Sequence, residues 1–239
     1  MKRFVAVTAV ALAVPALVGV PSAEAATAAS ARASSGVLWD DCFDHRFSYT
    51  VGSAAASADD WELDVTLVGP DGRTADSNWL WKGGDPASGS SSFFFCGGSD
   101  RPGTYQIRGT VTSYDEDYNA TKRAIPTSTF RMRQPQTRSA VRATPKKTRT
   151  GRVVRLKGTS KVERPRGFYA LEYAPVRLQQ KVHGKWRNVK ASQYTDHAGR
   201  ASFRYRAKEK GTLTFRLYTP ASSTQTASLS KAVKVRVRS

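Results

Sequence analysis

The second half of the chain carries the strongest chemical signal, an excess of cationic side chains. Residues 134–239 contain twenty-six lysines and arginines against four acidic residues, whereas residues 37–133 contain nine against fourteen. Four carboxylates leave most of these cations unpaired, and their mutual repulsion costs stability that a counter-charged ligand would relieve. The expected chemistry is charge-driven binding of polyanions with little sequence preference. Lysine and arginine on strands also serve as solvated cover, so both interpretations stay open.

The two cysteines of the chain, Cys42 and Cys96, both lie in the acidic half. In an oxidising compartment they are expected to form a disulfide. Two thiolates alone do not complete a metal site, because no histidine or further cysteine supplies the remaining ligands at a usable spacing. A catalytic thiol would need a spare cysteine, and the chain has none.

An acidic segment has part of the ligand pattern of a calcium site. Asp115, Asp117 and Asn119 form D-x-D-x-N, the first ligand spacing of a calcium loop. The segment lacks the glycine and the distal glutamate that complete an EF-hand loop. Further oxygens would have to come from the acids that flank Cys42, which are Asp40, Asp41 and Asp44. The alternative is a solvated acidic turn between two strands.

Enzyme chemistry has little support in the residue pattern. The three histidines are His45, His183 and His197, and the last two fall in predicted turns. No serine lies in a G-x-S-x-G nucleophile elbow. Carboxylate pairs can be chosen freely from the acidic half, so they do not indicate a glycosidase. We therefore expect a non-catalytic protein that needs no cofactor, with a small secreted hydrolase as the least favoured alternative.

Alternating polarity predicts strands along the mature chain. Val176, Leu178 and Val182 alternate with polar residues, and so do Phe203 and Tyr205. Such alternation is typical of half-buried strands, and the glycines of His183-Gly184 and of residues 196–199 mark turns between them. The acidic half repeats the pattern from Trp61 onward. The prediction is an all-β protein with two antiparallel β-sandwich domains.

Two motifs resemble a known family. V-x-L-Q-x-K-x-x-G-K-W-x-x-V from Val176 and T-D-x-x-G-R-x-S-F from Thr195 look like the Ig-like β-sandwich repeat of secreted Gram-positive bacterial surface proteins. The resemblance implies an Ig-like fold in a stalk or accessory module, with no active site to carry over. The hairpins at 61–72 and 102–105 are similar to β-sandwich appendages of secreted bacterial enzymes, some of which bind calcium.

Placed in register with that repeat, the second domain presents cations on both sheets. The resemblance puts three neighbouring strands in one sheet and six cations on its outer face: Arg177, Lys181, Arg216, Lys234, Arg236 and Arg238. Arg155, Lys157, Arg204 and Arg206 are expected to face outward on the other sheet. Tyr218 is expected beside Arg216, and the resemblance places Trp186 in the core.

Composition divides the chain into five segments. Residues 1–25 have a cationic start, an apolar stretch and the small-residue site Ala23-Glu24-Ala25, which predict a cleaved signal peptide. Residues 26–36 hold no large apolar side chain and predict a disordered tail. The remaining boundaries are an acidic domain at 37–133, a linker at 134–138 and a basic domain at 139–239.

These features predict a secreted, non-catalytic structural or adhesive protein, extracellular or held non-covalently at the cell wall. The expected partner is a polyanion, such as an anionic wall polymer, an acidic glycan of the extracellular matrix or DNA. Acidic and basic domains are also expected to favour self-association. No later stretch has the ~20 apolar residues of a spanning helix. The main alternative is a calcium-assisted carbohydrate- or protein-binding module.

Overall fold

The computed structural model describes residues 28–39, 42–189 and 192–239. The predicted signal peptide therefore lies outside the described residues, as do Asp40 and Asp41. Nearly all of the regular secondary structure in the described residues is β-strand, and the exception is the short helix α1 (Ser53–Ala56). Within these ranges, no helix has the length and apolar character needed to cross a membrane. The prediction of an all-β protein is confirmed.

Two sheets pack face to face in the first domain. Its strands are β1 (Ala29–Ala33), β2 (Gly36–Val37), β3 (Cys42–Val51), β4 (Asp60–Val68), β5 (Thr74–Trp81), β6 (Ser88–Cys96), β7 (Gly103–Tyr114), β8 (Ala120–Ala124) and β9 (Ser128–Arg133). One sheet has the order β1-β3-β6, and the other has the order β2-β9-β7-β4-β5 with β8 paired to β7. The core between the sheets contains large aromatic side chains, among them Trp61, Phe47 and Phe93.

The alternation in β4 shows how one strand supplies both the core and the surface. Trp61, Leu63, Val65 and Leu67 are all buried, and the residues between them face away from the core. Because side chains point to opposite faces at each step, one apolar row fills the sandwich and one polar row meets water. Val65 lies opposite Gly109 in β7, where an added Cβ would clash with the backbone of β4.

The expected disordered tail at 26–36 is wrong for the part that the structure describes. Ala29–Ala33 forms β1 and pairs antiparallel with the last half of β3, and Ala29 and Ala31 are buried. Backbone hydrogen bonds to β3 and burial of small methyl groups order a segment that has no large apolar residue. Composition alone missed this strand, because the segment contains alanines but none of the large apolar residues that usually indicate a buried strand.

The disulfide prediction is confirmed. Cys42 opens β3 and Cys96 closes β6, and the two residues are direct partners in the antiparallel register. The bond closes a long loop, with a sequence separation of 54. It joins the two strands at one end of their sheet.

The second domain is also a two-sheet sandwich. Its strands are β10 (Thr137–Thr144), β11 (Lys147–Arg149), β12 (Val153–Arg164), β13 (Gly167–Ala170), β14 (Pro175–Val182), β15 (Lys185–Asn188), β16 (Gln193–Tyr194), β17 (Arg200–Arg206), β18 (Gly211–Thr219), β19 (Ser228–Leu229) and β20 (Val233–Arg238). One sheet has the order β10-β12-β13 with β17 paired to β12. The other has the order β11-β20-β18-β14-β15, with β16 and β19 as short additions.

A two-residue turn connects β14 to β15, as the sequence predicts. His183 and Gly184 both have positive φ, at 47° and 79°. This conformation matches the twist of the flanking strands in a tight hairpin. The hairpin brings Trp186 directly opposite Lys181.

The junction between the domains is shorter than the predicted linker at 134–138, and hydrogen bonds hold its backbone in place. Thr137 and Arg138 already belong to β10, so only residues 134–136 connect the sandwiches. Arg133 forms a bidentate ion pair with Glu163, with both N···O distances at 2.7 Å. The Gln136 N–H donates to Glu163 as well, and the Pro135 carbonyl accepts a hydrogen bond from the Thr226 N–H. These contacts fix the chain where it passes from one domain to the other.

Removing the disulfide should destabilise the first domain. In the chain-entropy model, a loop with a sequence separation of 54 contributes about 4 kcal/mol. A variant with Cys42→Ser and Cys96→Ser should lose stability of that order in urea unfolding of the full chain, compared with the oxidised parent. An unchanged midpoint for the first-domain transition would contradict this expectation.

The junction should weaken in acid. The hydrogen bonds from Arg133 hold the pKa of Glu163 below its ordinary value of 4.5. A carboxyl whose pKa is lowered by folding stabilises the fold above its unfolded pKa, and this contribution is lost as the pH falls through its lower folded pKa. Glu163→Gln should therefore lower stability at neutral pH and show less additional loss below about pH 4 than the parent.

Thermal melts of the full chain across pH would measure this difference, with Glu209→Gln as an exposed control. Parallel pH curves for Glu163→Gln and the parent would contradict the assignment.

Candidate polyanion-binding face

The three strands predicted to be neighbours are neighbours in the structure. β20, β18 and β14 lie side by side in that order, and their apolar rows point inward. The six predicted cations occupy the outward positions: Arg177, Lys181, Arg216, Lys234, Arg236 and Arg238. Five are exposed and Arg216 is half-buried. We call the outward surface of β11, β20, β18, β14 and β15 the β20 face.

The edge strand β11 adds two cations that the sequence analysis missed. Lys147 pairs with Arg236 and Arg149 with Arg238 in a parallel register, and both side chains are exposed. A strand of three residues is too short to show a period, and its partner lies about ninety residues further along the chain. The excess of lysine and arginine near residue 147 was the only available signal.

The prediction that Trp186 lies in the core is wrong. Trp186 is half-buried on the β20 face, opposite Lys181, and the Arg216 guanidinium carbon is 4.2 Å from its ring centroid. The Nε of Arg216 also donates to the Gln179 side-chain oxygen at 2.8 Å. Trp186 lies outside the core because its cross-strand partner Lys181 occupies an outward position of β14, and opposing residues share one face of the sheet. The ring and the amide together hold the guanidinium in one orientation.

The β20 face has no acidic residue on its strands. Strands β11, β14, β15, β18 and β20 contain no aspartate or glutamate. An ion pair within 4 Å joins Arg133 and Glu163, and it lies at the domain junction and not on this face. Arg177 is oriented instead by a hydrogen bond from its Nε to the Ser192 hydroxyl, 3.1 Å away. Tyr218 lies opposite Arg177 and is half-buried, as predicted for the outward position.

The other sheet of this domain carries a second cationic surface, which we call the β12 face. Arg155, Lys157, Arg204 and Arg206 are exposed there, as the resemblance to the Ig-like repeat implies. Small side chains at Ala140, Thr159 and Ser202 leave a shallow cleft of about 520 Å³ across β10, β12 and β17. The cleft is walled by longer side chains, which are Arg142, Lys157, Arg200 and the carboxylate of Asp196.

Asp196 gives the β12 face a mixed character. Its Oδ1 accepts hydrogen bonds from the backbone N–H groups of Arg200 and Ala198, at 2.8 and 2.9 Å. The bond from Arg200 is the main reason that the pKa of Asp196 is lowered, so this carboxylate stays ionised. An anion in the cleft would meet this negative charge, whereas an anion on the β20 face would not.

The acidic segment at residues 115–119 forms a compact turn. Asp115 Oδ1 accepts the backbone N–H groups of Asp117 and Asn119, and its Oδ2 accepts the Asn119 amide. The pKa of Asp115 is lowered, and the largest cause is the hydrogen bond from the side-chain amide of Asn119. In the described part of the chain, no group of three or more His, Cys, Asp or Glu side chains could hold a metal ion. The calcium site at Asp115, Asp117 and Asn119 stays a prediction, and its outer acids Asp40 and Asp41 are not described.

The three histidines lie in a packed position or in exposed turns. His45 Nε2 lies 2.8 Å from the Ser34 carbonyl oxygen, and its ring stacks on Phe130 with a centroid distance of 5.4 Å. His183 is an exposed turn residue with positive φ, and His197 is exposed beside Asp196. These environments account for all three rings by packing or turn geometry.

Comparisons with known proteins assign neither a family nor a function to the chain. No family model and no curated protein matches the chain. The D00-D0 domain of Intimin is 13% identical over 87% of this chain and 98% of its own, with a TM-score of 0.33. The BSP domain of a biofilm associated protein is 13% identical, covering 89% of this chain and 30% of its own, with a TM-score of 0.31. Red sea bream transglutaminase is 10% identical, covering 88% of this chain and 31% of its own, with a TM-score of 0.37. These values are too low to assign a function.

The position of Trp186 predicts a small effect of its removal on stability. Trp186→Ala should cost no more than about 1 kcal/mol, as for a surface residue with one partner. Phe215→Ala removes a fully buried ring from the same domain and should cost about 3–5 kcal/mol. Urea unfolding of the two variants would measure both values. Equal losses would place Trp186 in the core after all.

Proposed function

We propose that this protein is an exported, non-catalytic structural or adhesive protein that attaches to anionic polymers through its β20 face. The observation that carries the proposal is the array of eight outward cations on four adjacent strands that lack acidic residues. These residues are Lys147, Arg149, Arg177, Lys181, Arg216, Lys234, Arg236 and Arg238.

The geometry of a sheet suits a linear polyanion. Neighbouring strands lie ~4.8 Å apart, and alternate residues along a strand lie roughly 7 Å apart. Cations at these spacings form a flat array on which successive phosphate, sulfate or carboxylate groups of a chain find partners. Five of the eight cations are arginines. The guanidinium group of arginine binds phosphate and carboxylate groups with paired hydrogen bonds. The expected affinity falls with salt and depends little on polymer sequence.

The order of individual side chains strengthens the array. Arg216 is held by Trp186 and Gln179, and Arg177 is held by Ser192. A side chain that is already oriented loses less conformational entropy on binding. The two arginines lie on the neighbouring strands β14 and β18, so the face contains two oriented guanidinium groups on adjacent strands.

The partner class is a polyanion outside the cell. An anionic wall polymer, an acidic glycan and DNA all provide the required charge, and attachment to any of them would be non-covalent. A second source of negative charge is the acidic first domain of a neighbouring copy. Docking of that domain on the β20 face would produce head-to-tail self-association, in competition with polymer binding.

Neutralising β20 should weaken binding and lower its salt dependence. The variant Lys234→Ser, Arg236→Ser and Arg238→Ser should lose about two to three units from the slope of log affinity against log salt. Titrations of the full chain with heparin, duplex DNA and wall polymer across a salt series would measure the slope. The parent should release on the order of four or more counterions.

The matched control removes three cations from the β12 face by Arg155→Ser, Arg204→Ser and Arg206→Ser. Both variants change the net charge equally, so a general charge effect lowers both slopes alike. An equal loss would contradict the assignment to the β20 face. Absence of binding by the parent at low salt would show that the cations are solvated cover.

A further inference from the structure

Two tryptophans are exposed on the first domain, on the edge strand β5. Trp79 is 51% exposed and Trp81 is 40% exposed. Their rings stack on each other with a centroid distance of 4.7 Å and an interplanar angle of 19°. Both side chains occupy outward positions, since the inward neighbour Leu80 is buried.

This arrangement departs from the usual design of an edge strand. Edge strands are commonly protected by charged side chains, because an exposed apolar edge promotes association. Here two of the largest apolar side chains occupy that edge, at a cost in exposed apolar surface. Local departures of this kind concentrate at binding sites.

The turn after β5 supports the stack from behind. A Cβ added to Gly84 would lie 2.6 Å from the Trp81 ring, so the ring rests directly on this glycine. The Trp81 carbonyl accepts the N–H groups of Gly84 and Asp85, at 3.1 and 2.8 Å. Trp81 is therefore held between the turn and Trp79, and Trp79 presents its outer face to solvent.

Carboxylates border the aromatic pair on the same surface. Asp64 lies directly opposite Trp79 in the register of β4 and β5, and Glu62 lies opposite Trp81. The side chains of opposing residues on one face are close neighbours. Asp64 is exposed, and Glu62 accepts a hydrogen bond from the Tyr114 hydroxyl at 3.3 Å. These groups accept hydrogen bonds from hydroxyl donors and repel anions.

We propose that Trp79, Trp81 and the adjacent Asp64 form a binding site for an uncharged pyranose unit of a polysaccharide. The apolar C–H face of a pyranose stacks on the outer face of Trp79, while its hydroxyls donate to the carboxylate of Asp64. A rigid aromatic surface with a few polar groups is the usual composition of a small-ligand site. The site lies on the first domain and does not depend on the β20 face.

The test is calorimetric titration of the full chain with two neutral oligosaccharides, a glucan hexamer and an N-acetylglucosamine hexamer. Salt of roughly 0.5 M screens the cationic faces during the measurement. At least one hexamer should bind, and Trp79→Ala should weaken it about tenfold or more because the stacking surface is lost. Asp64→Asn should weaken binding less, and an oligogalacturonate of equal length should bind weakly or not at all.

Phe94→Ala provides the matched control. Phe94 is 58% exposed in β6, on the outer surface of the opposite sheet, and its removal should leave sugar binding unchanged. Failure of both hexamers to bind the folded parent would overturn the proposal. Sedimentation that shows self-association abolished by Trp79→Ala, without sugar binding, would also overturn it and assign the pair to a protein interface. None of these results depends on whether polyanions bind the β20 face.

Discussion

The two-residue period of the β-strand is the constraint on which this molecule depends. In β20, Val235 and Val237 are buried in the core, and this placement forces Arg236 and Arg238 outward. The same relation holds in β18, where Phe215 and Leu217 are buried on either side of Arg216. The same strands thus specify a core and a charged surface through alternate residues, and pairing between strands assembles their cations into one array. Charge that is scattered along the sequence becomes concentrated in space.

The two domains divide the surface chemistry between them. The first domain carries carboxylates and an exposed tryptophan pair, whereas the second carries cations on both sheets. The junction couples them through Arg133 and Glu163, so one of the few acids of the basic domain is used for connection. The strands of the β20 face contain no acidic residue of their own, so this face has no counter-charge on its strands. The two proposed sites, for an anionic polymer and for an uncharged glycan, therefore lie on different domains.

The sequence predicted those features that follow from local period and composition. Alternation placed in register with the resembled repeat located the outward cations of β14, β18 and β20, and the number of cysteines in an exported chain predicted the disulfide. It did not predict features that depend on distant pairing. The strand β1 is ordered by β3, and β11 gains its place from a parallel partner at the end of the chain. Trp186 was misplaced because a single aromatic residue in a short strand does not show which face of the sheet it occupies. The tryptophan pair of β5 was likewise hidden, since burial of both rings was equally compatible with the sequence.

The most direct measurement of the central claim is a lysine acetylation footprint of the full chain, free and bound to heparin. The account predicts that Lys147, Lys181 and Lys234 on the β20 face become protected, because their ammonium groups lie against the polymer. Lys157 and Lys161, which are exposed on the β12 face, should stay reactive. Equal protection of the two sets, or protection confined to Lys157 and Lys161, would contradict the claim that the β20 face is the site of attachment.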